Sequence, residues 1–277
     1  MGMRIRTNVP SLVAQRNLKN TSHRVNDNYR KLSTGERITR AADDAAGLAI
    51  SEKMKSEIRG LKQAGRNAND AISLIQTAEG GLSEVSNIVI RLRELAIQAA
   101  TDTIGEQERG FSNIEFQNLK EEIDRISQVM SFNGKKLLNG TGGVMEFQIG
   151  IFNDPSLDRL RFDSSSADAT LDSLGLSAES IGSKEGAQIS LERLDNALVK
   201  INGTRANLGA IQNRLTSTIQ NIQVSDENLS AANSRIRDAD FADETARLAK
   251  NNILLQAGTS VLSQTNSNPS IALKLLG

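Results

Sequence analysis

The chain has 277 residues, 33 basic against 33 acidic side chains, no cysteine, no tryptophan and one tyrosine, Tyr29. The missing thiols exclude disulfides and Cys-based metal sites, and an aromatic content of 3% points to narrow helix–helix seams of Leu, Ile, Val and Ala instead of a broad globular core. Charge is balanced overall but not locally: residues 1–40 hold Arg4, Arg6, Arg16, Lys19, Arg24, Arg30, Lys31, Arg37 and Arg40 against Asp27 and Glu36, and without interleaved aromatics this reads as a solvated helix face, not a nucleic-acid surface.

Residues 1–10 are irregular and end in Pro10. No apolar run of leader length opens the chain, and none later reaches bilayer length, so neither a cleaved leader nor membrane insertion is expected. A helix starts at Ser11, a good capping residue. Leu18, Val25 and Leu32 stand seven apart on it and form a thin apolar stripe. Gly35 closes it as a left-handed cap.

Residues 37–50 are an Ala-rich linker leading into a second helix. Asp43 and Asp44 fall where a helix N-terminus favours negative charge. The next seam runs Met54, Ile58, Leu61, Ala68, Ile72, Ile75, Leu82, Val85, Val89, Leu92, Ala96 and Ala99. Gly80-Gly81 weakens it by about 1 kcal/mol per glycine, yet the pattern predicts one long helix. A turn at Thr101 to Gly105 follows. Phe116, Leu119, Ile123, Ile126 and Met130 then predict a third helix of roughly 25 residues, ended by Phe132-Asn133-Gly134.

The period now changes from 3.5 to 2. Met145, Phe147, Ile149 and Ile151 alternate with polar or small residues, and Leu160 and Phe162 alternate with Arg159 and Arg161 beyond Asn153-Asp154-Pro155-Ser156. This is a β-hairpin signature over about 144–163. The segment 164–186 is small, polar and acidic, and reads as a short surface loop.

From Ser190 to Ile236 the heptad-like seam returns, without a proline: Leu191, Leu194, Leu198, Ile201, Leu208, Leu215, Ile219, Ile222, Leu229 and Ile236. A helix of this length spans roughly 75 Å at 1.5 Å per residue. One apolar stripe on it needs partner helices, which the second and third helices supply. Asp238 to Asp243 breaks the pattern. A last helix, starting near Asp243, repeats Leu248, Leu255 and Leu262 at the spacing of the first, and the apolar stretch Ile271 to Leu276 follows Pro269 uncapped.

The predicted fold is mainly α: an elongated rod of long antiparallel helices, coiled-coil-like, with a small β-hairpin at the turn-around and paired terminal helices. Residues 1–44 with 236–277 form one domain, and 45–235 the rod domain. The thin terminal helices bury little area and should order only when a partner covers them.

No constellation carries catalysis or holds a cofactor. His23 is alone on a polar helix, without a second ligand for a metal. Asp43-Asp44 are adjacent and point apart, which suits capping or pairing between subunits. Glu121-Glu122 is a solvated face. No glycine cluster forms a phosphate-binding loop. Asn139-Gly140-Thr141 and Asn202-Gly203-Thr204 fit the glycosylation triplet, a pattern common by chance.

Three motifs carry a resemblance. RITRAADDAAGLAISEKM (37–54) closely resembles the signature of bacterial flagellins, SRIRDADFADETARLAKNNILLQAGTSVLSQTN (234–266) resembles their C-terminal signature, and FNGKKLL (132–138) is a third match in the right order. The resemblance covers essentially the whole chain, but the variable outer domains of larger flagellins are missing, so the chain resembles a minimal form. It implies the subunit of the extracellular flagellar filament: secreted without a cleaved signal, exported unfolded and polymerised at the tip. The terminal helices, with seam residues Leu18, Val25, Leu32, Leu248, Leu255 and Leu262, would line the channel, and the rod would form the wall. The hairpin, with Met145, Phe147, Ile149, Leu160 and Phe162, would switch filament forms. Implied partners are further copies of the chain, the filament cap and hook–filament junction proteins, and an export chaperone on the C-terminal segment. The vertebrate Toll-like receptor for flagellin is implied too, through a patch matching Arg91, Leu95 and Glu115 that would also be a subunit contact. Two alternatives stand beside this: a hook–filament junction protein, and a soluble coiled-coil adaptor that binds an anionic surface through the basic N-terminal arm.

Overall fold

The computed structural model describes the backbone of residues 7–274 and the side chains of residues 7–267. Arg4, Arg6 and Leu276, named above, lie outside the described residues. Among the described residues, six α-helices, one 3-10 turn (Ser164–Ala167) and two small antiparallel sheets are present: α1 (Val9–Thr34), α2 (Ala45–Ala99), α3 (Glu106–Val129), β1 (Ser131–Phe132), β2 (Lys135–Lys136), β3 (Val144–Gln148), β4 (Arg159–Asp163), α4 (Leu171–Leu174), α5 (Lys184–Arg237) and α6 (Phe241–Lys274). The chain divides into two compact units, one running to Ile58 and resuming at Glu227, the other spanning Arg59–Asp226. Sequence reading expects the division at the helix breaks near 44 and 236. The helices α2 and α5 cross it without interruption, so no turn residue marks it.

The second unit, 59–226, holds two apolar cores in series. The first joins Ala68, Leu74, Ile75 and Leu82 of α2 to Leu208 and Leu215 of α5 and to Leu137 and Leu138. The second joins Val89, Leu92 and Leu95 of α2 to Phe116 and Ile123 of α3 and to Leu194 and Ile201 of α5. The α5 heptad holds: Leu194, Ile201, Leu208, Leu215 and Ile222 are all buried, each seven residues from the next. Small residues such as Ala68, Ala71 and Ala78 are wholly buried between the larger ones, so the helices approach closely.

Gly80 and Gly81 do not interrupt α2. A Cβ on Gly81 would lie 2.7 Å from Leu138 Cδ1 and 2.9 Å from Met130 Cγ, so this position lets the 130–138 turn press against the helix. That turn is itself a miniature hairpin. Asn133 and Gly134 both take positive φ, 48° and 79°, the conformation of a two-residue primed turn, and β1 pairs with β2 across it.

The larger hairpin pairs Met145 with Phe162 and Phe147 with Leu160. Met145, Ile149, Leu160 and Phe162 enter the first core, and Phe147 packs partly buried against it. The strand ends at Gln148, earlier than the alternation through Ile151 suggests. Ile149 and Gly150 both donate their N–H to Asp158 O (2.8 and 3.0 Å), which closes the connection instead of extending the ladder.

Three expectations are corrected. The first helix starts at Val9, not Ser11. Asn8 caps it, its Oδ1 accepting from the Ser11 N–H (3.1 Å), and Pro10 sits in the first turn, where a missing N–H costs nothing. The last helix starts at Phe241, not Asp243, because Asp240 Oδ1 accepts from the N–H groups of Ala242 (2.9 Å) and Asp243 (3.3 Å). The helix also continues past Pro269 to Lys274.

The third correction concerns 164–186, which is not merely a surface loop. Ser164, Ala167, Ala169, Leu174, Leu176 and Ile181 are buried. The α3 side chains strap the segment down. Lys120 Nζ donates to Ser177 O (2.9 Å) and Glu179 O (2.8 Å), and Asn113 Oδ1 accepts from Ile181 N (3.0 Å). Burial pulls the Lys120 ammonium below its usual range, against the opposing pull of Glu179. The buried apolar residues here have no regular period, which is why the pattern reads as loop.

Candidate functional site

No catalytic constellation stands among the described residues, and the candidate site is the surface left unsatisfied by the terminal helices. In their unit, only Val25 and Ile38 are buried hydrophobics among the described residues. The helices α1 and α6 pack against each other, antiparallel. Asn8 near the start of α1 donates to Thr265 O (2.8 Å), and Asn28 near its end donates to Glu244 Oε1 (2.5 Å). The expected seam meets along this pair but is thinly covered. Val25 is buried, while Leu18, Leu32, Leu248, Leu255 and Leu262 are half-buried.

A second apolar set faces away. Val9, Leu12, Val13 and Tyr29 on α1 are exposed, as are Phe241, Ile253, Leu254 and Val261 on α6. Leu254 and Val261 stand seven apart, one position before the seam residues Leu255 and Leu262. Each terminal helix thus carries more apolar surface than its partner covers, which marks an interaction surface. A groove of about 390 Å3 runs beside Leu254, lined by Arg24, Lys31, Arg247 and Lys250 and by Asp27, Asn28 and Glu244.

The linker between α1 and α2 is fixed by polar contacts. Gly35 caps α1 with φ 71°. Arg37 N–H donates to Arg237 O (2.7 Å), and Ala239 N–H to Gly35 O (2.9 Å). Arg237 pairs with Glu52 and, through Nε, with Glu36 (2.9 Å), and these two carboxylates, Glu52 foremost, hold its guanidinium still more firmly charged. Asp44 caps α2, as its position suggests, whereas Asp43 turns back and fastens the linker turn at Thr39–Arg40. The Asp43 carboxylate accepts from Thr39 N, Thr39 Oγ1 and Arg40 N (3.1, 2.9 and 3.1 Å), and Asp44 accepts from Gly47 N (2.9 Å). Burial pushes the Asp43 carboxyl up, but these hydrogen bonds and Arg30 outweigh it and leave it below its ordinary 3.8.

In the other unit, the structure brings two of the three patch residues together. Arg91 Nη2 lies 2.9 Å from Glu115 Oε1, and both side chains are about half exposed. Arg91 also pairs with Glu94, and the Glu94 and Glu115 carboxylates together favour its charged form. Leu95 is not on that surface. It is 2% exposed and belongs to the second core, so its spacing of four from Arg91 does not make a shared outer face.

Sequence reading misses the polar residues between α1 and α6: Asn28, Glu244 and Asn251, with Asn8, Ser11 and Thr265 at the far end. A signal was available. Asn28 lies three residues after Val25 on the same stripe, and Glu244 and Asn251 repeat at seven, each four residues before a seam leucine. Sequence reading also misses Arg109, a buried cation that donates to Ala99 O (2.8 Å) and Thr101 O (2.7 Å) and so satisfies carbonyls at the end of α2. No helix of the described residues is long and apolar enough to cross a membrane.

Both ends of the chain match bacterial flagellins. Residues 5–142 match the bacterial flagellin N-terminal helical region, and residues 191–276 match the bacterial flagellin C-terminal helical region. The chain is 45% identical over 274 residues to a flagellin of Halalkalibacterium halodurans, covering 99% of this chain and 100% of that protein. It is 42% identical over 292 residues to a flagellar filament 33 kDa core protein of Treponema phagedenis, again covering 99% and 100%. Among solved structures, the crystal structure of Bacillus cereus flagellin is similar at 33% identity and a TM-score of 0.51, over 61% of this chain and 94% of that one.

Proposed function

The chain belongs to the bacterial flagellin family and is a structural subunit of the extracellular flagellar filament; from that premise we propose that its terminal helix pair is the surface through which subunits polymerise. The observation that carries this reading is the double allocation of apolar residues on α6. Leu248, Leu255 and Leu262 are half-buried, while Ile253, Leu254 and Val261 are exposed. A neighbouring copy covers the exposed set, and that contact is heterologous, because a filament grows without closing on itself. Residues 1–44 with 236–277 then form the layer around the channel, and 45–235 the wall.

Finer assignments follow from the same surface. Before assembly, the bare stripe of α6 is what an export chaperone holding the C-terminal segment would cover. Cap and junction proteins meet the same stripe at the two filament ends. The buried hairpin residues Met145, Ile149, Leu160 and Phe162, with Phe147, couple any change of filament form to the first core. The exposed Arg91–Glu115 pair is the part of the Toll-like receptor patch that the folded subunit presents.

The test is seeded growth. Purified chain added to filament fragments elongates them. Leu254→Glu with Val261→Glu places two charges where the neighbour packs and should slow elongation by at least about tenfold, with the helical content by circular dichroism unchanged. Elongation at the unsubstituted rate would show that this face is not the contact.

A further inference from the structure

The α1–α6 seam has a specificity problem that its leucines do not solve. Leu18, Val25 and Leu32 repeat at seven, and so do Leu248, Leu255 and Leu262. Sliding one helix along the other by a heptad brings apolar residue to apolar residue again, so the hydrophobic term barely distinguishes the registers. The structure nevertheless contains one register, held by groups that are not interchangeable. Asn28, buried, donates through Nδ2 to the buried Glu244 Oε1 (2.5 Å) and accepts at Oδ1 from Asn251 Nδ2 (2.7 Å). At the other end Asn8 donates to Thr265 O (2.8 Å), and the buried Ser11 Oγ donates to Asn266 Oδ1 (2.7 Å). Between them a Cβ on Gly258 would lie 3.1 Å from Leu18 Cδ1, so Leu18 seats where α6 is narrowest.

We propose that the Asn28–Glu244–Asn251 ladder is the register key of the terminal helix pair, and thereby fixes the axial offset between the assembly stripes of α1 and α6. Slide α6 by four residues and Leu248 and Leu255 replace Glu244 and Asn251 beside Asn28. A polar amide is then left buried without partners, and Glu244 loses its donor. Slide it by seven in the opposite sense, the slip that brings Thr259 beside Ser11, and Glu244 takes the place of Asn251, so Asn28 keeps one partner of two. Each residue of slip moves Leu254 and Val261 about 1.5 Å along the axis relative to Leu12 and Val13. A neighbour that must cover both stripes at once then fits one register only. Buried polar groups in helix pairs act in this way at some cost in stability.

This inference rests on the assembly reading above, and the experiment separates the two. The chain has no cysteine, so introduced pairs report register directly. Ser11→Cys with Asn266→Cys reports the register seen here. Ser11→Cys with Thr259→Cys reports a one-heptad slip. Both pairs are placed in the full chain with the ladder intact and with Asn28→Leu plus Glu244→Leu. With the ladder intact, only the 11/266 disulfide should form. With the leucine ladder the helices should still pair, the 11/259 disulfide should rise at least about tenfold, and seeded elongation should fall. An exclusive 11/266 disulfide in both backgrounds, with elongation unchanged, overturns the register key and leaves the assembly reading standing. Elongation unaffected even when the slipped disulfide dominates overturns the link to assembly.

Discussion

The two units of this subunit are built from helices of one general kind and held by opposite means. In 59–226, a series of fully buried Leu, Ile, Val and Ala residues runs through two cores, and polar groups mostly fasten the loops. In the unit of the chain ends, two hydrophobic residues are buried among the described residues, and the fixed points are polar: the Arg237 clamp, the Asp43 turn and the Asn28 ladder. Apolar burial favours compaction without choosing a neighbour. Polar pairing contributes little net stability but penalises wrong geometry heavily. On the proposed assembly, a subunit stable in one part and completed by a second copy in another divides its chemistry along that line.

The largest effect should come from the apolar unit. Leu92 is wholly buried in the second core, and Leu92→Ala should lower its stability by about 2–5 kcal/mol through lost burial and the cavity left behind. The comparison has a convenient probe. Tyr29 is the sole Tyr or Trp in the chain and lies on α1. Urea unfolding followed by circular dichroism should show the Leu92→Ala loss, while Tyr29 fluorescence, which reports the terminal pair, should hardly move. Equal shifts in both signals would show that the chain unfolds as one body and that the contrast has no thermodynamic meaning.

This contrast also explains what was legible in the sequence. The apolar unit announced itself because periodicity survives burial: the α5 heptad from Leu194 to Ile222 and the alternation Met145, Phe147, Leu160, Phe162 appear in the structure as they read in the chain. The long helix through Gly80-Gly81 was legible, but the role of Gly81 was not, because that role is the approach of Leu138 from a distant turn. Leu95 misled because a spacing of four matches a shared face only when that face is not already the core. The 164–186 segment stayed hidden because Leu174, Leu176 and Ile181 follow no period and are held by Asn113 and Lys120 of another helix. The candidate surface was visible as a thin stripe, but its polar ladder was not, since a lone Asn such as Asn28 on a polar helix looks like every other.

A smaller effect sharpens the polar side. The Arg237 side chain is 14% exposed and meets both Glu36 and Glu52. Arg237→Ala should cost about 1–2 kcal/mol, read by Tyr29 fluorescence, and should leave the circular dichroism transition of the apolar unit in place. Added salt should weaken the terminal pair of the unsubstituted chain in the same direction. A loss confined to the main circular dichroism transition would mean that Arg237 supports the wrong unit for this argument.

The smallest effect is the one with a sign. The folded state holds the Asp43 carboxyl below 3.8, so the group is more easily ionised folded than unfolded. Its contribution is therefore fully present above the unfolded value and disappears as pH falls through the folded one. Asp43→Asn should lower the stability seen by Tyr29 by less than about 1 kcal/mol near neutral pH, because the site is largely open to water. The gap between the two proteins should narrow as pH drops below about 3.8, where protonation of the unsubstituted carboxyl removes the same charge. The apolar unit supplies the control, since Asp43→Asn should not move its transition at any pH. A gap that stays constant down to strong acid would assign the effect to the shape of the Thr39–Arg40 turn, and the charge of Asp43 would then have no part in holding the linker.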